Sequence, residues 1–277
     1  MQSCIICNSY KIKEYKNLFI CKKCGFYQNK IRKSSLEIES YYDKYFEMQR
    51  IIDMSKSSIY YKIKKFLIKR YKTTKIKVLE VGFGSGYFLK YLQNIGYDVY
   101  GVELVKRSVE SAKTLIGEDK IYLGDFLHIK FPLKFFDVII LIDVLYEIND
   151  INKAIKYINE ILTENGILII RVKNALFHIY LEKLINIVKL FIKSPFVYHN
   201  FGFTFRSLKW LLLKNGFRIL NNKAYLYLTL GDPYRQLKFL NEIVSIFKCL
   251  YFIISKIVYF FTGFIISPSF IIYSVKK

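Results

Sequence analysis

The sequence predicts an α/β fold in which helices cover both faces of a mostly parallel sheet, preceded by a small unit built on cysteines. Three observations carry this expectation. Between residues 76 and 175, short and almost unbroken apolar runs alternate with segments of helical periodicity. That is the pattern of parallel strands buried on both faces. One junction, Lys77-Val78-Leu79-Glu80-Val81-Gly82-Phe83-Gly84-Ser85-Gly86-Tyr87-Phe88-Leu89, passes from an apolar strand through three alternating glycines into a helix. Such a junction lets backbone N–H groups and a helix N-terminus approach a ligand closely. Finally, four of the five cysteines form two close pairs near the N-terminus.

The chain has 277 residues, 53% of them hydrophobic, enough for one full α/β domain plus a small addition. Its formal net charge of +22 is unevenly placed. Residues 78–175 carry 11 basic and 13 acidic side chains, so the positive charge belongs to the flanks. A basic flank suits an anionic partner such as nucleic acid, an acidic membrane surface or a phosphate-bearing substrate; compositional drift toward lysine is the alternative. The start shows no basic-then-apolar leader, and closely paired cysteines suit metal binding in a reducing compartment, so a cytoplasmic location is expected.

Residues 1–33 contain Cys4-Ile5-Ile6-Cys7 and, thirteen residues later, Cys21-Lys22-Lys23-Cys24. Two C-x-x-C knuckles present four thiolates to one tetrahedral ion, and the spacer suits a hairpin, so a structural zinc ribbon on Cys4, Cys7, Cys21 and Cys24 is expected. Residues 34–74 form a helical extension beginning near Ser34, with tyrosines at 41, 42 and 45 and an apolar face of Ile59, Ile63, Phe66 and Leu67. The extension is expected to pack on the sheet domain, with a tyrosine closing over a ligand as the alternative. Residues 75–277 form the sheet domain. Strands are expected at 75–81, 98–103, 121–124, 136–142 and 166–172, with helices at 87–95, 108–116 and 152–162. An apolar helix follows at 176–192, then a helix at 207–213, a strand at 217–220 and a last strand at 270–275. Residues 235–266 are a long apolar helical excursion whose polar stripe suits a membrane surface better than a crossing; packing on its own domain is the simpler reading. Cys249, alone in that stretch, is expected in the core.

A dinucleotide loop wants G-x-G-x-x-G, and Tyr87 stands where the third glycine should be. The pattern here is an acid, Glu80, followed by Gly82, Gly84 and Gly86. It resembles the first motif of the class I S-adenosylmethionine-dependent methyltransferases, which implies a Rossmann-like fold with a seven-stranded sheet. The resemblance extends over about a hundred residues in order. Gly101-Val102-Glu103 ends the second strand, Gly124-Asp125-Phe126 follows the third, and 135–145 and 165–172 look like the fourth and fifth. It implies that Glu80, Gly82, Phe83, Gly84, Gly86, Glu103, Leu104, Asp125 and Phe126 hold the methyl donor. Glu103 would accept the ribose hydroxyls and Asp125 the adenine amino group.

Many members carry Glu-His after the fourth strand where this chain has Tyr146-Glu147. That departure leaves Glu147, His199 and Asp143 as candidate general bases in no fixed order. The two-knuckle ribbon joined to such a domain resembles methyltransferases of surface-glycan, lipid-linked sugar or metabolite pathways. A small-molecule, sugar or lipid-linked glycan acceptor is therefore expected, methylated at oxygen, at the inner face of the membrane if 235–266 docks there. RNA held by the basic ribbon is the second acceptor class, and a non-catalytic interaction or membrane-docking module is the third reading.

Overall fold

The structure is a computed structural model that describes residues 3–187, 199–220, 225–226, 250, 253–258, 261 and 266–277. At the N-terminus, β1 (Ile12–Tyr15) and β2 (Leu18–Cys21) form the antiparallel hairpin that the cysteine spacer allows, and β3 (Tyr27–Asn29) pairs with β2. Three helices follow where one helical extension was expected: α1 (Ser35–Lys44), α2 (Phe46–Ser55) and α3 (Ser57–Arg70). The entry to α1 is fixed by a capping box. The Glu37 N–H donates to Ser34 Oγ at 3.3 Å, and the Ser34 N–H donates to Glu37 Oε2 at 2.8 Å.

The main sheet is built from β4 (Lys77–Val81), β5 (Asp98–Glu103), β6 (Ile121–Leu123), β7 (Phe136–Ile142), β8 (Leu162–Lys173), β10 (Phe217–Ile219) and β12 (Ser269–Lys276). Their spatial order is β10-β12-β8-β7-β4-β5-β6, and β11 (Tyr225–Leu226) adds against β12. The strands from β6 to β8 are parallel, and β12 runs antiparallel between β8 and β10. From β4 the chain winds outward through β5 and β6, then returns to place β7 and β8 on the other side. Parallel sheets bind ligands at the carboxyl ends of the strands where the winding reverses, here at the ends of β4 and β7.

Both faces of the sheet are covered. Leu79, Val81, Ile139, Leu141, Leu168 and Ile170 form one core with Ala154, Ile155 and Ile158 of α6 (Ile151–Ile161). The alternate residues Val78, Val138, Ile140, Ile167 and Ile169 pack with Phe88, Leu89 and Leu92 of α4 (Tyr87–Gln93) and with Ile59, Ile63 and Leu67 of α3. The apolar face read in the helical extension therefore packs on the sheet. The remaining helices are α5 (Lys106–Ile116), α7 (Ala175–Ile187) and α8 (Phe205–Lys214).

The ribbon shares structure with the sheet domain. The β3 strand pairs with β9 (Phe201–Gly202), which completes a small sheet of order β1-β2-β3-β9. Phe26 packs against Phe201 and Phe203 with ring centroids 5.8 and 5.4 Å apart. The fit is close: a Cβ on Gly202 would lie 1.8 Å from Tyr27 Cε1. Most of the apolar excursion at 235–266, including Cys249, lies outside the described residues. Among those described, no helix is long and apolar enough to cross a membrane.

Candidate functional site

A cavity of about 780 Å³ opens at the carboxyl ends of the parallel strands. Its lining includes Glu80, Gly82, Phe83, Gly84, Glu103, Leu104, Asp125 and Phe126, together with Asp143, Glu147 and His199. The donor-side and acceptor-side residues expected from sequence thus meet in one place, with one exception. Gly86 lies outside this lining. It caps α4 at φ 79°, and a Cβ there would come 2.9 Å from the Ala112 Cβ, so its glycine serves the packing of α4 on α5.

The glycine loop is held from two sides. The Gly84 N–H donates to Glu103 Oε2 at 2.9 Å, while Glu103 Oε1 accepts from the Leu104 and Val105 N–H groups at 2.7 and 3.2 Å. Burial pushes the Glu103 carboxyl up, and these three N–H groups oppose the shift. The Ser85 N–H and Oγ donate to Asp53 Oδ2 at 3.0 and 2.7 Å, so α2 lies across the loop. Gly84 has φ 58°, and a Cβ there would sit 2.6 Å from Asp53 Oδ2. Glu80 is buried beneath the loop; burial first, and then Asp53, push its carboxyl well above the usual range. Asp125 accepts from the Leu127 N–H at 2.9 Å and from Ser35 Oγ at 2.8 Å, which ties α1 to the same rim.

A chain of charges runs across the floor. Lys56 Nζ donates to Asp53 Oδ1 at 3.2 Å and lies 3.5 Å from Asp143 Oδ2. Asp143 is bonded in turn by Arg171, whose other nitrogen donates to Ser269 Oγ at 3.1 Å. Asp143 adopts φ 62°, just past the end of β7. Burial raises its proton affinity, but Arg171, Lys56 and Lys173 outweigh that and hold its carboxyl below the usual value. A carboxylate so strongly paired is a poor proton acceptor.

Glu147 and His199, read from sequence as separate candidates, form one unit. Glu147 Oε1 lies 2.5 Å from His199 Nδ1 and also accepts from the Tyr42 hydroxyl at 3.3 Å. A carboxylate at Nδ1 places the imidazole proton there and leaves the Nε2 lone pair as the acceptor. The Lys173 Nζ lies 3.2 Å from that Nε2. The imidazole packs on the Tyr146 ring at a centroid distance of 4.1 Å. Burial pushes the His199 pKa down, the Glu147 hydrogen bond opposes, and Lys173 adds to the fall. Burial thus favours the neutral imidazole.

Three carboxyl oxygens in this lining, Glu80 Oε2, Asp143 Oδ1 and Glu147 Oε2, are buried without a hydrogen-bond partner among the described residues. Buried polar atoms are almost always satisfied, so three such oxygens around one cavity suit a polar ligand. Tyr41 and Tyr42 of α1, and Tyr45 just past its end, also line the cavity. Sequence reading missed Asp53, Lys56, Lys173 and Arg171. For the last two a signal existed, because a cation at the end of an otherwise apolar strand is out of place unless it has a partner. The Asp53–Lys56 pair offered none beyond an ordinary i,i+3 spacing.

In the ribbon, the sulfurs of Cys4, Cys7, Cys21 and Cys24 all lie within 4.8 Å of one another. Cys4 and Cys24 are 3.7 Å apart, and Cys7 and Cys21 are 3.5 Å apart. Sulfurs on a tetrahedral zinc ion lie about 3.8 Å apart, so this donor set fits a closed structural site.

A family model for the methyltransferase domain matches residues 56–222. The ubiquinone biosynthesis O-methyltransferase of Pelagibacter ubique (strain HTCC1062) is 28% identical over 160 residues, covering 53% of this chain. The chain spans 65% of that relative's length. Among solved structures, the magnesium protoporphyrin IX methyltransferase of Synechocystis PCC 6803 with bound S-adenosylhomocysteine aligns with a TM-score of 0.60 at 12% identity, covering 88% of this chain and 100% of its own. A SAM-dependent methyltransferase from Thermotoga maritima aligns at 0.51 and 17% identity, covering 86% and 96%. Strand order, ligand crevice and sequence match agree: this chain belongs to the methyltransferase domain family.

Proposed function

We propose that this chain transfers the methyl group of S-adenosylmethionine to an oxygen of a small-molecule acceptor, sugars and lipid-linked glycans among the candidates, with His199 as general base. The observation that supports this most is the Glu147–His199 pair sharing one cavity with the glycine loop, Glu103 and Asp125. Glu103 and Asp125 are the carboxylates offered to ribose hydroxyls and an adenine amino group, and Glu80 is the acid nearest the methionine end. When bound, S-adenosylmethionine supplies a methyl carbon already activated by its sulfonium. The chain's own work is to align the acceptor, exclude water and take one proton. Glu147 fixes the tautomer, so His199 Nε2 receives the hydroxyl proton. The four cysteines would hold zinc in a structural role.

The test separates the two halves of the site. A His199→Ala variant is expected to bind S-adenosylhomocysteine like the wild type, by calorimetry, and to lose about 10²-fold or more of the transfer of labelled methyl to a panel of hydroxylated small molecules. Equal transfer by wild type and variant would remove His199 from the mechanism.

A further inference from the structure

We propose that Lys173 is a second catalytic residue, that it and His199 together bind the reacting oxygen of the acceptor, and that the pair selects an acidic hydroxyl, that of a phenol or an enol. This rests on the methyl-donor reading above and narrows its acceptor. The geometry comes first. Lys173 is the last residue of β8, its side chain lines the cavity, where burial lowers its pKa, and its ammonium lies 3.2 Å from the one imidazole nitrogen that keeps a lone pair. Its long, flexible stem can rotate the ammonium off Nε2, so that a hydroxyl oxygen enters between them. That oxygen accepts from Lys173 and donates its proton to His199 Nε2.

The charged groups around Lys173 come from several elements. Arg171 lies on its own strand and Lys56 on the segment joining α2 and α3. Asp143 and Glu147 follow β7, and His199 precedes β9. Arg171 and Lys56 are themselves committed to Asp143, and Glu147 is committed to His199. Lys173 is thus the cation of this group left facing the position of the acceptor oxygen.

The choice of acceptor follows from base strength. Burial makes the His199 imidazole a weaker base than a free one. With a weaker base, more of the ease of proton transfer depends on the acidity of the hydroxyl itself, so an acidic hydroxyl is favoured. An unassisted sugar hydroxyl is far less acidic than a phenol beside an ammonium. The walls agree: Tyr41, Tyr42, Tyr45, Tyr146 and Phe201 line the cavity with ring faces and edges on which a flat acceptor packs. In the transfer step the oxygen lone pair forms the bond to the methyl carbon as the carbon–sulfur bond breaks. The bonding pair stays on sulfur, and the hydroxyl proton resides on His199.

The probe is 4-nitrophenol, whose phenolate absorbs in the visible range, titrated against the full-length protein saturated with S-adenosylhomocysteine. The ionisation midpoint of bound nitrophenol is expected to fall by about one pH unit or more relative to the free compound. Lys173→Met should abolish that fall and Lys173→Arg retain most of it. An unchanged midpoint on the wild type, a fall that persists in Lys173→Met, or no binding at millimolar concentration would each overturn the proposal. So would methyl transfer to a methyl glycoside but to no phenol. S-adenosylhomocysteine binding, followed separately in the same samples, reports on the donor reading, so the two failures are distinct.

Discussion

Glu147 Oε1 lies 2.5 Å from His199 Nδ1, although the two residues are 52 positions apart in the chain. One arrives on the exit of β7 and the other on the approach to β9, the strand that the ribbon captures. The Glu147–His199 pair is therefore assembled by the sheet and the N-terminal ribbon together. Asn200, the next residue, accepts from the Lys33 N–H at 2.7 Å and donates to the Lys33 carbonyl at 2.9 Å, while the Asn29 N–H donates to its carbonyl at 2.9 Å.

Replacing Glu147 by Gln removes the charge that favours the imidazolium. The His199 pKa should fall further, and methyl transfer should drop about tenfold to a hundredfold. The chain has three histidines, so the imidazole signals resolve by NMR and the direction of the His199 shift is directly readable. A rise would contradict the assigned hydrogen bond.

Acid stability is set partly by His178, which burial, and then Lys173, push down to about 4 from an ordinary 6.5. The folded chain then binds fewer protons than the unfolded chain between these values. The contribution is full above pH 6.5 and is lost as pH falls toward 4, at most about 3 kcal/mol. Buried His199 titrates with the same sign. Urea unfolding followed from pH 7.5 to 4.5 should show this decline, and His178→Gln should flatten it.

The Lys56 ammonium sits between two carboxylates with 7% side-chain exposure, against 5% for Asp53 and 14% for Asp143. Lys56→Met removes the buried counter-ion of Asp53, while Asp143 keeps Arg171. Breaking a buried pair on one side costs about 3–5 kcal/mol. Thermal unfolding of Lys56→Met and of the double variant with Asp53→Asn checks this, and the double variant should recover part of the loss.

Metal removal should reach the cavity through the ribbon. Thr204 Oγ1 donates to the Cys24 carbonyl at 2.6 Å, and β3 pairs with β9 two residues after His199. Chelation should lower the melting temperature and move the His199 resonance while leaving that of His128 in place. Gly202→Ala tests the same joint without touching the cysteines. It forces the Tyr27 ring aside and should cost about 1–3 kcal/mol.

How far these features could be read in advance follows from their range in the chain. The strands at Asp98–Glu103 and Phe136–Ile142 lie where the apolar runs put them, because a buried parallel strand must be apolar throughout. The glycine loop was legible because positive φ at Gly82 and Gly84 is a local demand on residue type. The helix start near Ser34 was legible because an N-cap is likewise a local demand on residue type. Asp53 over Ser85, Lys173 against His199 and Tyr27 against Gly202 were not, since each joins segments that only the tertiary fold brings together. Gly86 shows the reverse case: its glycine fits the motif, but the conformation serves helix packing outside the cavity.

The most direct measurement is calorimetric titration of S-adenosylhomocysteine into the wild type and Glu103→Ala. Saturable one-to-one binding by the wild type, weakened at least about tenfold in the variant (about 1.4 kcal/mol), is the expected result. Undiminished binding by Glu103→Ala, or none by the wild type, would contradict the assignment of this crevice to the methyl donor.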